Sequence, residues 1–397
     1  MAIKKRIVRG GKGAGNTAPS ASTEKSSSGG GIKKRSSLPP PDNTDDLNTL
    51  PGELGSTIGA LIKNGHYGTP FLRASSPRMR RARLRTGILS LDLCLGGGWT
   101  RSAAGMIYGE KSSGKTTTVL QSIAELHRTD PEAYAAWLDI EGTLDYAWAR
   151  KIGVDLDRLV VVEPETGEHA VDLADHMLRS REVQIVVADS IAMLVPMKEI
   201  DESAEQETMA LQARLVGKYI RKTNNAILKE RQREHQPVLI HINQFRMKVG
   251  LVFGDPRVLP GGKALEFSTT QQVEIKNKEH LGKDDDGDQN VLYNEHNAKI
   301  TKNKGGGIMK EAAFKLIRTA GYEQLPEAWV DQAKTVRLFA TKAGLCDGSP
   351  NSYTFDDIDY RFKSAADFNN WALENPLEYS TLQDKIISAY RTKWNLT

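Results

Sequence analysis

Cysteine is nearly absent. Cys94 and Cys346 stand far apart without CxxC spacing, which argues against a disulfide framework or a cysteine-based zinc site and fits a reducing interior. Long apolar runs are missing too, none approaching the roughly 18 residues of a membrane span. Basic Lys4, Lys5, Arg6 and Arg9 lead into Gly and Ser rather than an apolar stretch, so no secretory signal is expected and the cytoplasm is the default compartment. Hydrophobic residues at 39% and charged residues at 26% give an ordinary soluble balance, and 397 residues suffice for one large core with smaller appendages.

Charge is unevenly spread. The net charge is +4, yet residues 1–41 carry nine Lys and Arg against Glu24 alone, a balance of +8 that leaves −4 for the remainder. The basic signal therefore belongs to the tail. That tail could contact phosphates, and a solvated, sequence-indifferent tail fits at least as well. Residues 1–45, rich in Gly, Ser, Lys and Pro, cannot bury enough apolar surface to offset the entropy of ordering and are read as disordered. Leu50, Leu54, Ile58, Leu61 and Ile62 mark a short helical segment, too small for an independent domain, within a docking element over 46–85. Arg78, Arg80, Arg81, Arg83 and Arg85 form a second basic cluster, read as a solvated strand, with phosphate contact the lesser reading.

From 86 to 320, short apolar runs alternate with helical stretches. Strands are expected at Met106–Tyr108, Ala135–Ile140, Leu159–Val162, Ile185–Ala188 and Val238–Ile242, with helices at 115–128, 144–152 and 206–231. This alternation predicts a mostly parallel sheet with helices on both faces. Asp284-Asp285-Asp286-Gly287-Asp288 reads as an exposed acidic loop, and helical pieces at 364–374 and 380–395 point to a small C-terminal α+β domain over 323–397.

The pattern G-x4-G-K-[ST] is met without deviation by Gly109, Glu110, Lys111, Ser112, Ser113, Gly114, Lys115 and Thr116, followed by Thr117. Between a strand and a helix, such a loop turns successive N–H groups into an anion nest, backed by the helix dipole. Lys115 would reach the β and γ phosphates, and the Thr116 hydroxyl would ligate Mg²⁺. The apolar run Ile185–Ala188 ends in Asp189, which can hold a carboxylate beside that metal through water. Glu141 follows the strand at 135–140, where it could polarise an attacking water; on position alone, a capping or solvent-facing glutamate fits equally.

Several ordered segments beyond the P-loop together resemble the bacterial RecA recombinase family. They are Leu138-Asp139-Ile140-Glu141 with Leu144-Asp145, Pro164-Glu165-Thr166-Gly167-Glu168, His241 to Gly250, Phe253-Gly254-Asp255-Pro256, Gly261 to Leu265 and Lys302-Asn303-Lys304. The likeness covers roughly residues 86–320 closely and the C-terminal part loosely, and the ATPase core is placed at 86–322. It implies an α/β fold: a P-loop RecA-type core with a mostly parallel central sheet, a short N-terminal docking element and a small C-terminal α+β domain.

The same resemblance implies roles. Glu141 is the catalytic base, Asp145 and Trp148 meet the adenine, and Gln244 senses the γ-phosphate. Lys302 and Lys304 reach a neighbour's ATP, and Phe267 belongs to the subunit contact. A first DNA-binding loop spans about 199–208, backed by Met209 to Arg214, and Arg221 lies near the DNA. A second spans about 245–260, so that Phe245, Arg246, Met247, Lys248, Gly254, Arg257, Gly261 and Gly262 contact or hinge the DNA grip. Cations interleaved with apolar side chains suit phosphates and bases. Implied partners are single-stranded DNA, homologous duplex DNA and further copies in a helical homo-oligomer, with ATP and Mg²⁺ as cofactors and no membrane. The implied function is homologous pairing and strand exchange in DNA repair. A hexameric helicase or a non-hydrolysing regulatory paralogue are the alternatives.

Departures include the acidic first loop (Asp201, Glu202, Glu205, Glu207), Gly305-Gly306-Gly307, and no acidic run before Thr397. They describe a divergent member, and a phage origin would place it in a host cytoplasm.

Overall fold

The computed structural model describes residues 52–63, 79–197, 208–247, 257–284, 287–307 and 309–394. All fall within the unit Asn43–Thr397. In chain order the elements are α1 (Gly52–Lys63), β1 (Arg83–Leu84), α2 (Leu89–Leu95), β2 (Trp99–Thr100), β3 (Ala103–Gly109) and α3 (Lys115–Thr129). Then come β4 (Tyr134–Asp139), α4 (Tyr146–Ile152), β5 (Leu159–Val162), α5 (Gly167–Arg179), β6 (Val183–Asp189), α6 (Thr208–Gln232) and β7 (Val238–Gln244). The short strands β8 (Arg246–Met247) and β9 (Arg257–Val258) precede α7 (Gly262–Ser268), β10 (Gln271–Lys283), β11 (Gln289–Asn303), β12 (Glu311–Ile317) and β13 (Val330–Asp331). The chain closes with α8 (Ala333–Ala343), β14 (Cys346–Ser349), β15 (Ser352–Phe355), β16 (Ile358–Phe362), α9 (Ala365–Glu374) and α10 (Pro376–Lys393).

Nine strands form the main sheet in the order β13-β12-β11-β10-β3-β7-β6-β4-β5. Pairing is parallel from β10 across to β5. Strands β3, β6 and β7 are buried almost throughout, which is why they read as continuous apolar runs. Alternate residues feed opposite faces. Ile107, Trp137, Val187 and Ile240 pack with Val119 and Ile123 of α3, whereas Met106, Leu138, Val186 and Leu239 pack with α5 and α6 through Val171, Leu178, Val216 and Tyr219. The result is a three-layer α/β core.

Beyond β10 the pairing turns antiparallel through β11, β12 and β13, an extension that the sequence reading does not contain. Its strands carry Lys276, Lys278, Glu295 and Lys299 on their open face, so polar residues dilute the apolar alternation. Asp284, Gly287 and Asp288 of the acidic run lie between the two strands of the long hairpin, and Asp285 and Asp286 lie outside the described residues. A third hydrophobic cluster joins Leu89 and Leu93 of α2 to α8, the sheet β14-β15-β16, α9 and α10. Among the described residues no helix is long and apolar enough to cross a membrane.

The basic cluster ahead of Gly87 differs from the solvated strand expected of it. Arg83 and Leu84 pair with Thr100 and Trp99. Arg85 has a side chain only 10% exposed, at 3.4 Å from Asp92, 3.1 Å from Glu125 and 3.1 Å from Asp384. Asp92 and Glu125 are themselves buried, and a buried carboxylate requires a counter-charge. Arg85 supplies it and ties α2 and α3 to α10.

Buried histidines, among them His127, His241 and His296, make the fold acid-sensitive. Burial pushes His127 and His296 down to about 4, and His241 to about 3, from an ordinary value of 6.5. Each folded value is depressed, so unfolding takes up protons; their contribution is full above pH 6.5 and is lost as the pH falls towards about 4. Urea midpoints should therefore drop across that window, with a shallower drop in His241→Gln. Midpoints that stay level across it, in parent and variant alike, would contradict this.

Candidate functional site

Strand order puts chemistry at one edge. Strands β3, β7, β6 and β4 are neighbours, and their carboxyl ends lead into the P-loop, Gln244, Asp189 and Glu141 respectively. Ligands of open α/β sheets gather at such an edge. A cleft of about 480 Å³ lies there, lined by Ser112–Thr117, Glu141, Asp145, Trp148, Asp189 and Gln244 among others.

The P-loop is shaped by its glycines. Gly114 has φ 92° and caps α3, and a Cβ there would overlap the His296 imidazole. Gly109 lies against the Ile275 carbonyl with no room for a side chain. Glu110 and Lys111 are exposed, and their side chains do not line the cleft. Lys115 is 5% exposed, and its Nζ donates to Glu110 O at 2.5 Å. Burial lowers its pKa, while Asp189 and Glu141 act in the opposite sense.

Across the cleft, Asp189 is 6% exposed and its Oδ2 accepts from Thr116 Oγ1 at 3.2 Å. Burial, then the nearby Glu141 charge, push its carboxyl up to about 7, with Asp139 adding to the effect and Thr116 and Lys115 opposing it. A half-buried hydroxyl beside a buried carboxylate with further negative charge nearby is a donor set that suits a hard divalent cation. Glu141 is oriented by Ser190, whose hydroxyl donates to Glu141 Oε1 at 2.6 Å. Asp139, which sequence reasoning left without a role, holds the Glu141 loop by accepting from Thr143 N at 3.2 Å and Leu144 N at 3.0 Å.

Asp145 caps α4, its carboxylate accepting from Trp148 N at 2.9 Å. Trp148 donates through Nε1 to Thr117 Oγ1 at 3.1 Å and lies under the Arg318 guanidinium, 4.6 Å from the ring centroid. The rest of this wall, Asn277, Glu279, Asn294, His296 and Leu316 of the antiparallel strands with Arg318 just after β12, was missed. The available signal was the two-residue spacing of each pair, which puts both members on one strand face.

Gln244 pairs with Gly109 on the adjacent strand, and Phe245 N donates to Gly109 O at 3.4 Å. The root of the second loop is thus stitched to the first residue of the P-loop. Phe245 packs edge-on against Tyr108 at 5.4 Å, with Arg257 4.8 Å above its ring. Met247 by contrast is 66% exposed. Arg246 Nη2 donates to Ala192 O at 3.0 Å, and Gln212 Nε2 of α6 reaches the same carbonyl at 3.4 Å. The segment after β6 therefore joins the foot of the second loop to α6. Met209 is in the first turn of α6; Arg214 and Arg221 are exposed further along it. Gly261 caps α7 at φ 89°, with Gly262 at φ 62°. Lys248, Gly254 and 198–207 lie outside the described residues.

Lys302 and Lys304 do not line this chain's own cleft. Lys302 Nζ donates to Glu266 O at 2.5 Å, beside Phe267, which is 73% exposed.

A model of the RecA N-terminal domain matches residues 70–323. The chain belongs to the RecA family. It is 36% identical over 338 residues to Protein RecA of Lactobacillus acidophilus, covering 85% of this chain and 88% of the relative. Protein RecA of Petrotoga mobilis is 41% identical over 264 residues, 66% of this chain and 68% of its own. That of Halalkalibacterium halodurans is 34% identical over 279 residues, 70% and 74% respectively. Within this RecA-family chain the matched span contains the whole P-loop edge and the root of the second loop.

Proposed function

We propose that this chain is a DNA-dependent ATPase that assembles as a filament on single-stranded DNA and pairs it with homologous duplex DNA in recombination and repair. The observation that carries this is the junction of Gln244 and Phe245 with Gly109: the loop with DNA-binding chemistry starts where the triphosphate would end. Lys115, Thr116 and the backbone of Gly109–Thr117 would hold the phosphates of ATP. Thr116 and Asp189 would hold Mg²⁺, which when bound neutralises charge between the β and γ phosphates. Glu141, held by Ser190, would accept a proton from the attacking water, and Asp145 and Trp148 would flank the base.

Lys302 and Lys304 would act on a neighbouring copy's ATP. Arg214, Arg221, Arg246, Met247, Lys248 and Arg257 would face the DNA, with Phe245 as a hinge residue packed on Tyr108. We divide the work of the chain accordingly among a basic tail at 1–45, a docking element at 46–85, an ATPase core at 86–322 and a C-terminal domain at 323–397.

Phosphate release should rise severalfold when single-stranded DNA is added, and electron microscopy of the same samples should show open helical filaments. Turnover indifferent to DNA would remove the recombinase reading. Closed rings would assign a helicase-like motor instead, and absence of turnover a regulatory paralogue.

A further inference from the structure

One wall of the cleft takes no part in the phosphate chemistry described above. Asn277 and Glu279 on β10 are the cross-strand partners of His296 and Asn294 on β11. The two-residue spacing puts all four on one face of the hairpin, and all four line the cleft. Asn277 Nδ2 donates to Ser112 O at 3.4 Å, and His296 Nδ1 lies 3.2 Å from Ser113 O. The Asn277–His296 rung is thus held against the P-loop. The Glu279–Asn294 rung stands about 7 Å further along the strands.

What this wall offers is acceptors. A carbonyl can only accept, so the contacts to Ser112 and Ser113 fix Nδ2 and Nδ1 as donors and leave Asn277 Oδ1 and His296 Nε2 as bare acceptors. Both atoms, together with Asn294 Oδ1, are buried and have no hydrogen-bond partner among the described residues. Burial takes the His296 ring down to about 4, so at neutral pH Nε2 keeps its lone pair. The exposed Glu279 carboxylate makes no ion pair or hydrogen bond among the described residues either. A buried acceptor without a partner costs free energy until a donor reaches it. The triphosphate cannot be that donor, because phosphate oxygens are themselves acceptors.

Position along the cleft names the donor. Asn294 pairs with Leu316 of β12, and Arg318, two residues on, lies 4.6 Å from the ring centroid of Trp148. The acceptors therefore stand between the loop assigned to the phosphates and the residues assigned to the base, where a nucleotide carries its sugar. We propose that Asn277, Glu279, Asn294 and His296 accept hydrogen bonds from the ribose hydroxyls and make the cleft select ribonucleotides over deoxyribonucleotides. A carboxylate reads ribose hydroxyls in the same way in dinucleotide-binding folds. The assignment deepens the reading of the cleft as an ATP site and rests on it.

The test titrates the whole chain, with Mg²⁺ present, against ADP, 2′-deoxy-ADP, 3′-deoxy-ADP and inosine diphosphate in a calorimeter. The series is repeated on Glu279→Ala and on Glu279→Ala/Asn294→Ala. The parent should bind ADP roughly tenfold or more tightly than either deoxy analogue, because a missing hydroxyl strands a buried acceptor. In the double variant that preference should shrink to about twofold through weaker ADP binding, while the ratio of ADP to inosine diphosphate affinities holds. Glu279 is exposed, so Glu279→Ala keeps the fold and decides the matter on its own, by a smaller loss of preference, if the double variant does not fold. A parent that binds ADP and both deoxy analogues alike would overturn the proposal. So would variants that lose affinity for all four nucleotides equally, or that change the inosine ratio instead, which would assign the wall to the base. A parent that binds none of the four would sink the ATP-site reading itself, and this proposal with it.

Discussion

Lys115→Ala is expected to lower ATP turnover by about a thousandfold while leaving the nucleotide-free fold intact, because the lysine charge is held for a ligand rather than for folding. The amine is 5% exposed and has Glu110 O as its near partner at 2.5 Å, with Ser113 Oγ at 3.5 Å. Burial lowers its pKa, meaning that the charged form costs the folded state. Removing it relieves that cost and offsets the lost packing of the alkyl stem. Phosphate release and the melting temperature of the ligand-free protein, measured together, check both halves. Turnover within tenfold of the parent, or a ligand-free protein that no longer folds, would contradict the assignment.

The second large effect is expected for Glu141→Gln. Glutamine keeps the oxygen that accepts from Ser190 Oγ at 2.6 Å but cannot take a proton. Turnover should fall by roughly 10²–10⁴-fold while ATP binding is retained, the signature of an interaction made in the transition state. The loss should appear in kcat with KM little changed. The alternative of a capping or solvent-facing side chain predicts near-normal turnover. A variant that loses ATP binding with kcat preserved would assign Glu141 to ground-state binding.

The P-loop edge was legible because parallel strands buried on both faces must be written as apolar runs, and the polar residue ending each run stands out. Asp189 after Ile185–Ala188 and Gln244 after Val238–Ile242 are cases of this, and helix α3 follows from Gly114 and the apolar spacing behind it. The opposite wall was not legible. Asn277, Asn294 and His296 sit on strands with one solvated face, and Arg318 directly follows another; polar residues there carry no obvious signal, and their convergence depends on a long hairpin closing over the P-loop. Arg85 was misplaced for a related reason. Its charge partners Asp92, Glu125 and Asp384 are scattered along the chain, so a run that looks solvated in sequence is in part buried. Phe245 illustrates the limit of interleaved composition as a guide: counted among the DNA-contacting side chains, it packs on Tyr108 at 5.4 Å, whereas the nearby Met247 faces outward.

The account depends on nucleotide state reaching the second loop through the β3–β7 junction. Affinity for single-stranded DNA, measured with a non-hydrolysable ATP analogue and with ADP, in the parent and in Gln244→Ala, tests this most directly. The parent should bind roughly tenfold or more tightly with the analogue, and the variant should lose that difference while still binding nucleotide. Equal affinities in the parent, or a difference that survives in Gln244→Ala, would contradict the coupling.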